Sequence, residues 1–209
     1  MTWRSSLLGL AWIVSGGLLG AVLFLWRTDL VNLVIPLLRW SADLVETRMD
    51  VAGLSVLQRG SEQLLELRLV SHHPIRLYGQ QFPHMDVSAT TLVTHAMQHF
   101  FIFGMALISG VMLAQQNGKT WQHQLCIVPL LTLGLLLSLM LDLPFTLLGS
   151  IEGLLLEHLA PDQLNQHPLV FWERFMTQGG RMVTALCISL LCLNLAGVRW
   201  VNLRRSNAV

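Results

Sequence analysis

Four long apolar runs constrain the fold of this chain more than any other feature. They lie at about residues 7–26, 90–114, 125–148 and 175–198. An α-helix rises 1.5 Å per residue, so about twenty apolar residues cross the roughly 30 Å hydrocarbon layer of a bilayer. Each run therefore predicts a transmembrane helix. The predicted fold class is a membrane all-α protein with four spans.

The composition supports lipid as the surroundings of these helices. Charged residues make up 12% of the 209 residues and hydrophobic residues 53%, whereas a soluble domain has about 25% charged residues. The net charge is +1, without the basic face that nucleic-acid binding requires. We therefore expect contact with the bilayer and no nucleic-acid partner.

The first apolar run differs from a cleaved signal peptide. It is uncharged from Leu7 to Trp26, which is longer than the apolar core of about 7–15 residues in a signal peptide. It ends in Trp26-Arg27 rather than in a pair of small residues. We interpret it as a retained membrane anchor.

The basic residues of the short segments predict the orientation. Three stretches on one side carry no acidic residue and hold Arg4, Lys119, Arg199, Arg204 and Arg205. Cytoplasmic segments collect Lys and Arg, so we expect both termini in the cytoplasm and the protein in a bacterial inner membrane. The 27–89 and 149–174 segments then face the periplasm.

The 27–89 insertion has patterns of its own. Apolar residues recur at helical spacing between Val31 and Leu44, which predicts an amphipathic helix in the membrane interface, kinked at Pro36. Residues 54–58 and 64–70 flank a Gly turn and predict a β-hairpin. The fold class is thus four transmembrane helices with a small periplasmic insertion, amphipathic helix plus β-hairpin, between the first two.

The second predicted strand has two different faces. Leu65, Leu67 and Leu69 alternate with Glu66 and Arg68, so one face is apolar and the other polar. A lone hairpin is marginally stable in water, so we expect its apolar face to pack on the amphipathic helix or on a partner. Glu66 and Arg68 are predicted partner-binding residues.

Two shorter segments complete the periplasmic side. Residues 75–78 could form a third strand, and residues 151–158 predict a short interfacial helix. A loop punctuated by Pro161 and Pro168 follows that helix.

His95 and His99 are the sharpest candidates for chemistry. They lie one helical turn apart in the second span, so both rings lie on one helix face. They could share a transition metal, or one could ligate a haem with a ligand from another helix. Alternatively, both could form hydrogen bonds to neighbouring spans, in which case no cofactor is expected.

Asp142 and Arg181 are the charged residues inside the predicted third and fourth spans. Ionisable groups in a membrane usually pair or face a cavity. An Asp142–Arg181 pair would join two helices, whereas a proton or substrate site at Asp142 would indicate a transporter subunit. Pro144 predicts a kink beside the acid.

Small residues recur at a spacing of four in the first two spans. Gly16 and Gly20 lie in the first, and Ala106 and Gly110 in the second. Such pairs allow close approach of helix backbones. The contact could lie within the chain or between chains.

The order of these parts resembles a known family. An N-terminal span is followed by the amphipathic stretch Val34–Trp40, by strands such as Gly53–Leu57 and Leu64–Val70, and by three further spans. This layout is similar to the small membrane proteins encoded beside exosortases, in particular the exosortase H-associated membrane proteins. The resemblance implies an accessory role in envelope protein sorting and carries no catalytic residues over to this chain.

These observations favour a non-enzymatic inner-membrane accessory or scaffold protein. Its periplasmic insertion would bind a membrane or periplasmic protein, for example by strand addition at a sheet edge. The alternative is a metal- or haem-binding membrane redox protein that uses His95 and His99.

Overall fold

A computed structural model describes the backbone of residues 3–116 and 121–198, with the side chains of residues 14–115 and 126–198. The helices and strands follow in the order α1 (Trp3–Leu25), α2 (Arg27–Val45), β1 (Asp50–Arg59), β2 (Glu62–Ser71), β3 (Ile75–Leu77), β4 (Gln80–Phe82), β5 (Met85–Leu92), α3 (Val93–Gln116), α4 (Trp121–Leu159), α5 (Pro168–Phe175) and α6 (Arg181–Leu195). The basic residues used above to predict the orientation lie outside the described side chains.

Three helical segments of the described chain are long and apolar enough to cross a membrane. They are Val93–Gln115, Cys126–Leu159 and Pro168–Leu195. A fourth candidate is the pair Val14–Leu25 and Arg27–Val45, which is bent by 71°. Leu18, Leu133 and Leu195 are 65%, 66% and 67% exposed, which is a surface that lipid covers better than water. The predicted helical class is confirmed, with three to four candidate membrane spans.

Helix α2 has the amphipathic character that the sequence predicts. Its buried residues Val31, Val34 and Leu38 recur at helical spacing and belong to the core that the sheet and α4 share. Its exposed apolar residues Leu33 and Trp40 lie seven positions apart, on another face of the helix. Pro36 lies inside the continuous helix.

The insertion folds into a three-stranded antiparallel sheet in the order β1-β2-β5. The predicted hairpin of β1 and β2 is present and turns at Gly60, which has a positive φ of 62°. Leu65, Leu67 and Leu69 are fully or almost fully buried and face α2 and α4 in one core. The predicted third strand at 75–78 instead pairs with β4 in a separate two-stranded sheet.

The predicted start of the second span, at about residue 90, is too early. Residues 90–92 belong to β5, which pairs with β2 from Leu64↔Leu92 to Ser71↔Met85. Helix α3 starts at the next residue, Val93. The boundary between strand and helix cannot be recognised in the sequence because β5 continues without a turn residue into the apolar helix.

The predicted third span and the predicted interfacial helix at 151–158 are one helix. Helix α4 has 39 residues and runs through Pro129 and Pro144. Gly149 does not break it. A Cβ at this position would collide with the carbonyl oxygen of Leu169 and lie 2.7 Å from Cβ of Glu173, so the glycine permits the close approach of α5.

The predicted fourth span begins in two pieces. Helix α5 continues into a π-helical segment, Met176–Gly180, before α6 starts at Arg181. Gly179 has a φ of 109° at this junction, which is a backbone conformation that L side chains rarely adopt. The junction brings Arg181 to the first position of α6.

Small residues of the first two spans lie in contacts within the chain. A Cβ built on Gly16 or Gly20 would meet Met105 or Phe101, at 3.5 Å and 3.9 Å. The later glycine of α1 contacts the earlier residue of α3, so α1 and α3 pack antiparallel. Gly110 of α3 instead approaches Leu193 of α6.

Candidate functional site

A cluster of polar side chains is buried between α3, α4 and α6. Asp142 of α4 is 0% exposed and accepts hydrogen bonds from Arg181, whose Nε and Nη2 reach the two carboxylate oxygens. Thr146, one turn further along α4, donates to Asp142 Oδ1 at 2.9 Å. The structure therefore brings together Asp142 and Arg181, the pair expected from the sequence.

His99 of α3 completes this cluster. Its Nε2 lies 2.7 Å from Asp142 Oδ2, and its Nδ1 lies 2.7 Å from Ser138 Oγ. An ionised carboxylate beside a guanidinium only accepts hydrogen bonds. His99 therefore donates from Nε2, and in the neutral ring it accepts the Ser138 hydroxyl proton at Nδ1. The bonds join α3 and α6 to the same carboxylate of α4.

The row Ser138–His99–Asp142 has the residue types of a hydrolase triad but not its arrangement. In that triad Nε2 faces the serine and Nδ1 the acid, whereas here the two ring nitrogens are exchanged. All three residues are 0% exposed, and Arg181 already neutralises the acid. The arrangement fits a clasp between three helices better than activation of a nucleophile.

The two histidines predicted as a metal or haem pair have different partners. His95 Nδ1 is 2.9 Å from Thr91 Oγ1, while both nitrogens of His99 are occupied as described above. Metal coordination by His99 would therefore break one of its two bonds. Within residues 14–115 and 126–198, no three His, Cys, Asp or Glu side chains form a group suited to a metal ion.

A second buried carboxylate lies where α4 meets the sheet. Glu152 is 2% exposed and accepts hydrogen bonds from Arg48 to both its oxygens, at 3.1 Å and 2.7 Å. The hydroxyl of Tyr78, which follows β3, also donates to it. His167 Nε2 lies 3.4 Å away. The segment before β1, the β3–β4 hairpin and the segment before α5 thus meet at one side chain.

The partners of Glu152 have shifted pKa values. Burial, together with the bond to Glu152, raises the pKa of Tyr78 to about 12. The hydrogen bonds to Glu152 and Glu46 raise the pKa of Arg48 against the opposing effect of its burial. Glu46 also accepts from the backbone nitrogens of Arg48 and Met49, at 2.8 Å and 3.2 Å. The turn before the sheet is therefore held by charge-assisted bonds.

The predicted partner-binding residues lie on the central strand of the sheet. Arg68 is exposed and forms a salt bridge to Asp86 of β5, and this bond lowers the pKa of Asp86. Glu66 is half-buried and is flanked by Ser55 of β1 and Thr90 of β5. Both residues remain candidates for partner binding, with Arg68 already engaged inside the sheet.

Strand β1 forms an open edge of the sheet. It pairs only with β2 among the described residues. Arg39 donates to the carbonyl oxygen of Val51 at 3.0 Å near the start of the strand. From Leu54 to Gln58 the strand carries no charge and no proline, and Leu57 is 40% exposed. Natural edge strands usually carry charged residues or proline, which block pairing with another strand. This segment has neither and is therefore suited to such pairing.

Sequence reasoning missed Ser138, Arg48 and the role of Glu152. Glu152 carries a usable signal, because it stands alone in an apolar run from Leu147 to Leu156. Arg48 and Ser138 show no such signal in the sequence, since their partners Glu152 and His99 are far from them along the chain.

The fold and these clusters define a class: a mostly helical protein with three to four candidate membrane spans, whose small β-sheet is fixed to the helices through a buried core and a buried carboxylate. No family model, no curated protein and no solved structure matches the chain.

Proposed function

We propose that the protein is a non-enzymatic accessory protein of the bacterial inner membrane that holds a partner protein at its periplasmic sheet. In this proposal α1 is the first of four spans, α2 lies along the membrane surface, and both termini are cytoplasmic. The 71° bend between the two helices and the exposed Leu33 and Trp40 of α2 support that placement. Such side chains suit the interface between water and lipid.

The open edge of β1 is the observation that carries the proposal. The stretch from Leu54 to Gln58 follows the register shift after Val51 and has neither the charges nor the proline that usually protect an edge. Strand addition gives affinity through backbone hydrogen bonds and specificity through alternate side chains. Ser55 and Leu57, two positions apart and both exposed, would then face the side chains of the added strand.

A scaffold must also hold its binding surface in a fixed position. The sheet shares its buried core with α2 and with residues Leu139–Leu155 of α4. The two bonds from Arg48 to Glu152 tie the start of the sheet to the same helix. These contacts support a binding edge that keeps its position relative to the bilayer.

The partner that we propose is a membrane-bound enzyme of the exosortase type. The similarity of layout to exosortase-associated membrane proteins supports this choice. Glu66 and Arg68 would contribute a polar surface beside the edge. Metal or haem binding by His95 and His99 has less support, because His99 spends both ring nitrogens on protein partners.

The test compares two lysine substitutions that differ only in the strand that carries them. Ser55→Lys on β1 and Thr90→Lys on β5 both replace an exposed residue opposite Glu66, so both gain the same favourable cross-strand charge pair. A photo-reactive residue at Leu57 is then crosslinked in intact cells of the native host, and the adduct is identified by mass spectrometry.

We expect one adduct from Leu57, containing an exosortase-type enzyme, that disappears with Ser55→Lys and persists with Thr90→Lys. Lysine on an edge blocks strand pairing. Equal loss with both variants would assign the effect to the polar face and contradict the edge. An adduct that persists with Ser55→Lys would overturn the docking mode, and a different protein in the adduct would overturn the partner.

A further inference from the structure

A groove between α1 and α3 has the chemistry of a phospholipid site. It has a volume of about 310 Å³ and lies beside the elbow between α1 and α2. Leu23, Phe24 and Phe101 contribute apolar walls, and Arg27, Thr94 and Gln98 are its polar lining residues. None of the described residues that line it is acidic.

The charged group of the groove lies at one end, and Gln98 lies between that end and Phe101. Since α1 and α3 are antiparallel and Gly20 lies against Phe101, Arg27 and Thr94 are both seven residues from that contact. In α3, seven residues span about 10 Å, and Arg27 lies at the elbow just after α1 has ended at Leu25. The groove therefore changes from apolar at Gly20 to cationic at Arg27, as a lipid changes from acyl chain to phosphate.

The charge of Arg27 has no carboxylate partner among the described residues. Its guanidinium lies 4.6 Å from the centre of the Phe24 ring, which leaves its donors available to an anion. Asp29, two positions along α2, points to nearly the opposite side of the helix. Arginine binds phosphate oxygens through two parallel hydrogen bonds.

We infer that this groove binds one anionic glycerophospholipid of the membrane leaflet on the sheet side. The phosphate accepts hydrogen bonds from Arg27, and one acyl chain lies between Leu23 and Phe101. A zwitterionic lipid binds less well, because no acidic residue of the groove compensates its ammonium group. The lipid would fill the space beside the elbow and fix the direction in which α2 leaves α1.

The test measures lipid retained by the full chain purified in mild detergent. Dioleoyl phosphatidylglycerol and dioleoyl phosphatidylcholine are titrated separately and read by native mass spectrometry. Arg27→Gln removes the charge, and Arg59→Gln, at the exposed end of β1, is its control. Gly20→Leu fills the apolar end, where the built Cβ has only one neighbour at 3.9 Å. Gly17→Leu adds the same bulk where nothing lies within 4 Å.

We expect the wild type to prefer phosphatidylglycerol and Arg27→Gln to weaken its binding roughly tenfold, the loss of a charge-assisted hydrogen bond. Gly20→Leu should remove the retained lipid, whereas Arg59→Gln and Gly17→Leu should behave as wild type. Equal affinity for the two lipids, or unchanged binding in Arg27→Gln, would overturn the inference. If Gly20→Leu does not fold, the Arg27 comparison still decides.

Discussion

The clasp between Asp142 and Arg181 makes a quantitative prediction about stability. Both side chains are almost fully buried, at 0% and 4% exposure. Removing one partner of a buried ion pair costs about 3–5 kcal/mol, because the other charge stays buried and unpaired. We therefore expect Arg181→Leu to lower the free energy of unfolding by that amount. Asp142→Leu should cost more, since it also strands the Nε2 proton of His99.

The double variant should be more stable than either single variant. Without both charges, the remaining defects are the unpaired donors of His99 Nε2 and Thr146 Oγ1, each of which costs about 1–3 kcal/mol. Because Asp142→Leu alone already carries these defects, additive effects would instead sum to the same cost plus at least about 6 kcal/mol. The difference between these totals is a coupling energy large enough to measure by a double-mutant cycle.

The assay is unfolding by SDS in mixed micelles, followed by far-UV circular dichroism. Thr146→Val is the matched control, because it keeps the shape of the side chain and removes only the 2.9 Å bond to Asp142. Its expected cost is about 1 kcal/mol. Effects of Asp142→Leu and Arg181→Leu that add within about 0.5 kcal/mol would refute the clasp.

Two further predictions concern the contact of α4 with its neighbours. Gly149→Ala should cost about 1–3 kcal/mol by forcing α5 away, whereas Gly153→Ala, with its nearest neighbour at 3.8 Å, should be nearly neutral in thermal unfolding; equal effects would contradict the close approach. Tyr78 is the only tyrosine, so tyrosinate absorbance reports it alone, with a folded-state pKa of about 12 against an ordinary 10. Its contribution to stability is complete below about pH 10 and is lost as the pH rises towards 12. Titration near pH 10 in the folded protein would contradict the burial of Tyr78 and its bond to Glu152.

The sequence predicted the parts of this fold that depend on composition and on short-range period. Apolar runs located the candidate spans, and the alternation of Leu65, Leu67 and Leu69 located β2 and its buried face. These features can be predicted from sequence because the polarity of each side chain, repeated at the period of a helix or a strand, determines which face is buried.

Other parts could not be read because they depend on contacts between distant residues. Strand β5 is polar and runs without a turn into the apolar helix that follows it, so it does not stand out. Gly149 signals a helix break in sequence, yet it serves the packing of α5 on α4. The Asp142–Arg181 pair was accessible because charges inside apolar runs are few, whereas the choice of Ser138 for His99 requires the register between α3 and α4.

Helix α4 carries two buried carboxylates and thereby connects the sheet to the helices α3 and α6. Asp142 and Glu152 are ten residues apart on it, a rise of about 15 Å. Each is paired with an arginine from a different element, Arg181 of α6 and Arg48 before the sheet. Pro144 lies between them, and the indole nitrogen of Trp172 donates to the carbonyl of Leu141 at 2.9 Å beside it. Because the helix is braced at Pro144, the sheet keeps its position relative to α3 and α6, as the proposed binding of a partner at the sheet requires.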